Sequence, residues 1–243
     1  MCIYSITSYY GRLGNNVLQT CSTFIQGYGT ANKYMLSSHP VFRFKNILNE
    51  EVTICKCYNR KIFNSEQLKY YDLSRLKTCY KKHIDIKGDR LNNNIYDIGI
   101  HIRSGDIFQQ INNSHSKYLQ PPLYFYEKII NENISKKIVI VYESNHNPVI
   151  NKLVDKYKDQ ANIIFQTSSI INDIHTLSNC RQLVVSNGTF WLVPYFESNI
   201  IENIIIPDYM KDNHWFSFDT NTKYREIALP NYMKGQLWKN TLE

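Results

Sequence analysis

Apolar and polar positions along this chain change rhythm near residue 95. From there, short apolar runs alternate with stretches in which apolar residues recur every three or four positions. The runs are "IYDIGIHI" (95–102), "KIVIVY" (137–142), "NIIF" (162–165), "QLVVS" (182–186) and "NIIIP" (203–207). Runs so short and so continuously apolar predict strands buried on both faces. Between them, "PPLYFYEKIINENI", "NPVINKLVDKYKDQ", "SIINDIHTLSNC" and "TFWLVPYFES" have the length and spacing of amphipathic helices. Pro121, Pro122 and Pro148 stand near helix starts, where a missing N–H costs little. The strand–helix alternation predicts a parallel sheet covered by helices on both faces.

Before residue 95 the pattern is weaker. "CIYSITSYY" reads as a strand, "NNVLQTCSTFIQGYG" as a helix and "EVTICKCY" as another strand. The stretch 63–90 is polar and irregular and runs into "KGDRLNNN", which reads as a linker. The expectation is an α/β chain of two lobes, 1–92 and 93–243, the second the better-formed Rossmann-like unit. With 243 residues, 43% of them hydrophobic, the chain is long enough to bury such a core.

Charge and cysteine content exclude several classes. The net charge is +7, without a clustered basic stripe, so a nucleic-acid reader is not expected. A dispersed excess of this size suits a polyanionic small molecule, or weak attraction to an acidic membrane surface. The six cysteines form no CxxC pair and have no histidine at ligand spacing, which argues against a zinc site. They read as reduced thiols of a cytoplasmic protein. No apolar run reaches the ~18 residues of a membrane span, and "MCIYSITSYY" lacks the features of a secretory signal.

Five of the nine glycines fall in three segments: "GRLGNN" (11–16), "GIHIRSGDIF" (99–108) and "SNGTF" (186–190). All three follow apolar strands, where open α/β sheets bind their ligands. In the middle segment His101 and Arg103 lie two apart on a strand end and share a face. Gly105 lets the chain turn, and Asp106 is placed to fold back onto it. An arginine there suits bidentate phosphate binding; the alternative is a structural ion pair between Arg103 and Asp106. In the late segment, Ser186, Asn187 and Thr189 supply short hydrogen-bonding side chains, and Gly188 permits close backbone approach. The helix expected to follow would add its positive end, although an ordinary helix cap is an equally simple use of these residues. "GRLGNN" lacks the third glycine and the downstream acid of a dinucleotide fingerprint, which argues against an NAD enzyme.

Taken in order, "GRLGNN", "HIRSGD" and "SNGTF" resemble the α1,2/α1,6/protein-O-fucosyltransferase superfamily, and "YLQPPLYFYEKII" looks like the segment that follows HxRxGD in bacterial and viral members. The resemblance spans most of 8–200. It implies a GT-B-like fold of two Rossmann-like lobes with a cleft between them. It also implies an inverting, metal-independent transfer of L-fucose from GDP-β-L-fucose to a glycan hydroxyl. By match to the motifs, Arg103 holds the β-phosphate, and Ser186, Asn187, Gly188 and Thr189 line the diphosphate, with Phe190, Gly105 and His101 also on the donor side. Gly11, Arg12, Gly14 and Asn15 line the acceptor side from the first lobe. Asp106 is the first candidate for general base; Glu143 and Asp173 are alternatives that would otherwise contact the base or ribose of the donor. The chain departs from the family at Asn16, where glutamine is common, and at "GTFWLV", which lacks a tryptophan pair. Another GDP-sugar or another nucleotide sugar as donor therefore stays open, as does a non-catalytic nucleotide-sugar or glycan-binding module. "NGT" at Asn187 is formally a glycosylation sequon, but a glycan there would block the phosphate cradle, which again favours the cytoplasm.

Overall fold

The computed structural model describes residues 3–6, 12–27, 33–45, 72–88, 94–105, 108, 120–213 and 223–229. They fall into two compact units, one within Met1–Asp89, the other within Arg90–Asn213 and Lys223–Glu243.

The first unit pairs β1 (Ile3–Ile6) in parallel with β2 (Lys33–Leu36), the connection containing helix α1 (Leu13–Gly27). Strand β3 (Phe42–Phe44) runs antiparallel to β4 (Ile84–Ile86), with Arg43 opposite Asp85 and their side chains 2.7 Å apart. Between these strands comes helix α2 (Leu73–His83), capped by the Asp72 carboxylate on the Arg75 N–H at 2.6 Å. The helix falls in the stretch that the sequence pattern leaves as an irregular linker. Its lysines mask a stripe of Leu73, Leu76, Cys79, Tyr80 and His83, all buried. That spacing is helical, and the stripe packs on α1: His83 stacks on Phe24 with ring centroids 4.2 Å apart. The strand expected at "EVTICKCY" lies outside the described residues.

The second unit follows the pattern closely. Its strands are β5 (Tyr96–Ile102), β6 (Ile138–Tyr142), β7 (Ile163–Gln166), β8 (Cys180–Val184), β9 (Asn203–Pro207) and β10 (Tyr224–Ile227). They form one parallel sheet in the order β10-β9-β8-β5-β6-β7. Helices α3 (Leu123–Glu132), α4 (Pro148–Tyr157), α5 (Ile170–Ser178) and α6 (Leu192–Glu197) fill the connections. A one-turn-and-more 3-10 helix, Asp208–Asn213, follows β9. The α/β class is as expected. The chain builds β5, β6 and β7 outward in one direction, then returns to the other side of β5 for β8, β9 and β10. The switch point of this doubly wound sheet therefore lies between β5 and β8.

The core is built from the apolar runs. Ile98, Ile100, Ile102, Val139, Ile140, Leu183, Val184, Ile204 and Ile206 are fully buried. Gly99 is required by packing rather than by its dihedral angles: a Cβ there would come within 2.5 Å of Cys180 Sγ.

Candidate functional site

Two of the three singled-out segments leave the sheet side by side. β5 delivers Arg103, Ser104 and Gly105; β8 delivers Ser186 to Phe190, 83 residues on in sequence. The Arg103 N–H donates to Ser186 Oγ at 3.1 Å, and the same hydroxyl lies 3.4 Å from His101 Nδ1. The His101 ring sits against Phe190 with centroids 4.7 Å apart.

Both glycines of these loops have left-handed backbone, φ 67° at Gly105 and 116° at Gly188, a conformation that side chains bearing a Cβ rarely adopt. Each also makes room for a charge. A Cβ on Gly188 would stand 2.8 Å from Arg103 Nη1, and one on Gly105 would stand 2.6 Å from a carboxylate oxygen of Glu143. The Arg103 guanidinium thus lies directly against the Gly188 turn. Glu143 follows β6, is exposed, and lies against the Gly105 turn.

Beneath the Arg103 loop runs a hydrogen-bonded relay. The Asn147 N–H donates to Ser104 Oγ at 3.0 Å and the Gly105 N–H to Ser144 Oγ at 3.2 Å. Ser144 Oγ lies 3.0 Å from Ser104 Oγ and 2.7 Å from His146 Nδ1. Ser144 Oγ thus bridges Ser104 Oγ and His146 Nδ1, with the direction of the two bonds set by the His146 tautomer. The Asn147 side chain completes the relay, with Nδ2 on the Arg103 carbonyl at 3.0 Å and Oδ1 on the Val149 N–H at 3.0 Å. Sequence reasoning took from "HNPV" only the proline near a helix start. The link from Asn147 to Arg103 spans 44 residues and leaves no local signal.

Ser186 is fully buried and its hydroxyl meets Arg103 N and His101. The described side chain therefore braces the switch point, a different use from the diphosphate contact expected of it. Helix α6 begins at Leu192, later than the sequence suggests, and the Leu192 and Val193 N–H groups already bond the Thr189 and Phe190 carbonyls. The expected dipole contribution shrinks accordingly, and what the loop offers is its own turn at 187–190.

Asp173, an alternative for the base, lies in the first turn of α5. It is buried and accepts from Gln166 Nε2 at 2.9 Å and Ser168 Oγ at 2.7 Å. Burial pushes its carboxyl above the ordinary range, against the pull of those two donors. This is a brace between β7 and α5. Asp106 lies outside the described residues.

In the first unit, the early segment forms the start of α1. The Asn16 N–H donates to the Arg12 carbonyl at 3.1 Å, so Gly14 and Asn15 lie within the first helical turn, and the helix starts before the two asparagines. Arg12 is exposed and Asn15 half-buried; Gly11 lies outside the described residues. Asn16, where the family favours glutamine, is buried and its Oδ1 lies 3.0 Å from His39 Nε2. The Val41 N–H donates to His39 Nδ1 at 3.1 Å, so the neutral tautomer with the proton on Nε2 satisfies both contacts. Burial, with the Lys87 ammonium adding to it, lowers the His39 pKa to about 4.

Fold and site together define a doubly wound α/β protein that gathers an arginine, two left-handed glycines and short polar side chains at its switch point. Such a constellation suits a phosphate-bearing ligand. The chain belongs to glycosyl transferase family 11, whose profile matches residues 31–233. It is a fucosyltransferase-like glycosyltransferase by family. The matched span takes in 101–106 and 186–190 and leaves out 11–16. No curated protein matches the sequence. Among solved structures, POFUT1 in complex with GDP-fucose is similar at 10% identity, with a TM-score of 0.49 over 94% of this chain and 98% of that one. POFUT1 in complex with GDP gives 9% and 0.47, over 94% and 98%. The E. coli heptosyltransferase WaaC with ADP-2-deoxy-2-fluoro heptose gives 9% and 0.39, over 79% and 57%. Among the described residues no helix is long and apolar enough to cross a membrane.

Proposed function

We propose that this glycosyltransferase moves L-fucose from GDP-β-L-fucose to a hydroxyl of a glycan acceptor, inverting the anomeric centre without a metal ion. The observation that carries the reading is the meeting of Arg103 with the Gly188 turn at the switch point of the sheet, in a chain of this family. In a single displacement the acceptor oxygen bonds to the anomeric carbon as the carbon–phosphate-oxygen bond breaks. Negative charge then builds on the departing diphosphate. A preorganised guanidinium with turn N–H groups beside it stabilises that charge as it forms.

The roles follow from the same reading. Arg103 takes the β-phosphate; Asn187, Gly188 and Thr189 line the diphosphate; Glu143 and His101 face the nucleoside side. Asp106 is the candidate to accept the acceptor's proton. Of its alternatives, Asp173 already has two donors and reads as structural. The second unit is the donor lobe of a GT-B pair, and Arg12, Gly14 and Asn15 of the first unit serve the acceptor. The enzyme works in the cytoplasm.

A metal-free thermal-shift panel of GDP, UDP, CMP, dTDP and NAD tests the donor. GDP alone should raise the melting temperature, by about 2.7 kcal/mol of stabilisation at ~100 times its dissociation constant. Arg103→Ala should shrink that rise, leaving weaker GDP binding that titration can still measure, and lower turnover of GDP-fucose by roughly 10²–10³. If a different nucleotide stabilises the protein, the donor is not a GDP-sugar. If Arg103→Ala turns over at the wild-type rate, the assignment of the phosphate site fails.

A further inference from the structure

We propose that Asn147 is a positioning residue, holding Arg103 in the geometry that the donor's diphosphate requires. The inference rests on the reading of Arg103 given above.

Arg103 lies just past the ladders of β5. The register of β5 ends at Ile100 on the β8 side and at Ile102 on the β6 side, just before Arg103. Side chains take over. Its N–H goes to Ser186 Oγ at 3.1 Å, from the loop after β8, and its carbonyl accepts from Asn147 Nδ2 at 3.0 Å, from the start of α4. Both partners are fully buried. Holding both peptide planes fixes the direction in which the Arg103 side chain leaves the backbone.

The choice of asparagine follows from the two tasks. As the residue before Pro148 it caps α4, with Oδ1 on the Val149 N–H. Serine, threonine or aspartate would cap about as well. None of them offers, at the same time, an amide N–H for the Arg103 carbonyl. The Asn147 N–H also anchors Ser104 Oγ, which ties the next residue of the loop to the same helix turn. A group that stabilises charge in a transition state must be held by its surroundings, and a small misplacement costs affinity and rate steeply.

A double-mutant cycle separates positioning from plain structural support. The full chain is prepared as wild type, Asn147→Ser, Arg103→Ala and the double variant, and GDP affinity is measured by titration calorimetry. Asn147→Ser keeps a capping oxygen and should still melt cooperatively, while GDP binds roughly 10-fold more weakly. In the Arg103→Ala background the same substitution should weaken GDP no further, because its effect runs through the arginine. GDP release from GDP-fucose should show the same non-additivity. Asn147→Asp, which keeps size and cap but sets a carboxylate oxygen against the Arg103 carbonyl, carries the same cycle if the serine variant does not fold. Equal losses in both backgrounds, or no loss in either, overturn the inference while leaving Arg103 in place. Wild-type GDP affinity in Arg103→Ala alone overturns the donor reading, and this inference falls with it.

Discussion

At the scale of single residues, Gly188 offers the sharpest lever. It combines a left-handed backbone with a side-chain space already filled by the Arg103 guanidinium. Gly188→Ala therefore meets backbone strain of order 1–3 kcal/mol and displaces the arginine head, which is flexible enough to move. The expected outcome is a protein that stays folded, melts a few degrees lower and binds GDP about as weakly as Arg103→Ala does. Wild-type affinity in the GDP titration would show that the close approach of glycine to arginine is incidental. Much of this was legible beforehand. Glycine in "RSGD" and "SNGT" marks a turn or a close approach, and both occur. Which charge each glycine admits was not legible, since Gly188 meets Arg103 across 85 positions of sequence. The bracing use of Ser186 was hidden for the same reason: a serine in a polar loop gives no sign that the fold buries it.

Elements were legible where burial is two-sided. Every apolar run after residue 95 became a strand of the central sheet, because a parallel strand between helices must be apolar on both faces. Strand β10, reading "YREI", escaped notice. It lies at the sheet edge with Arg225 and Glu226 exposed, so it lacks the apolar run that identifies its neighbours. Helix α2 escaped because its exposed face is rich in lysine and arginine, and overall polarity outweighed the stripe. The seam between β5 and β8 is where element packing can be tested. A Cβ on Gly99 would crowd Cys180 Sγ at 2.5 Å and Leu177 Cδ2 at 3.1 Å. Gly99→Ala should cost about 1–3 kcal/mol by overpacking, read as a lower urea midpoint. Cys180→Ala alone should also destabilise, by leaving a small void. The double variant puts the new methyl where the sulfur was, so its loss should fall clearly short of the sum. Additive losses would mean that the two side chains do not share that space.

At the scale of the whole molecule, the two units should answer acid differently. In the first unit, burial lowers His39 and His83 from 6.5 to about 4, with Lys87 and Lys82 adding to the effect. Both rings are neutral in the fold, where His39 stacks on Phe42 and His83 on Phe24. Above pH 6.5 folded and unfolded states are alike in this respect, and the full stability is present. As pH falls from 6.5 towards 4, the unfolded chain takes up protons that the fold refuses, and stability is lost. Each pKa unit corresponds to about 1.4 kcal/mol, an upper bound where water reaches the ring. In the second unit Asp173 has the opposite sign, because its folded carboxyl is raised above the ordinary value. Its protonated form suits the fold, so its contribution is fully present in acid and is lost as pH rises through the raised value. Acid should therefore weaken the first unit relative to the second. Amide-exchange protection factors for α1 and α2 should drop between pH 6.5 and 4 by more than those of β5 and β6. His39→Gln with His83→Gln should narrow that gap, whatever it does to stability at neutral pH. A gap of unchanged width in the double variant would show that other groups carry the acid response, and that these two rings exchange protons as freely folded as unfolded.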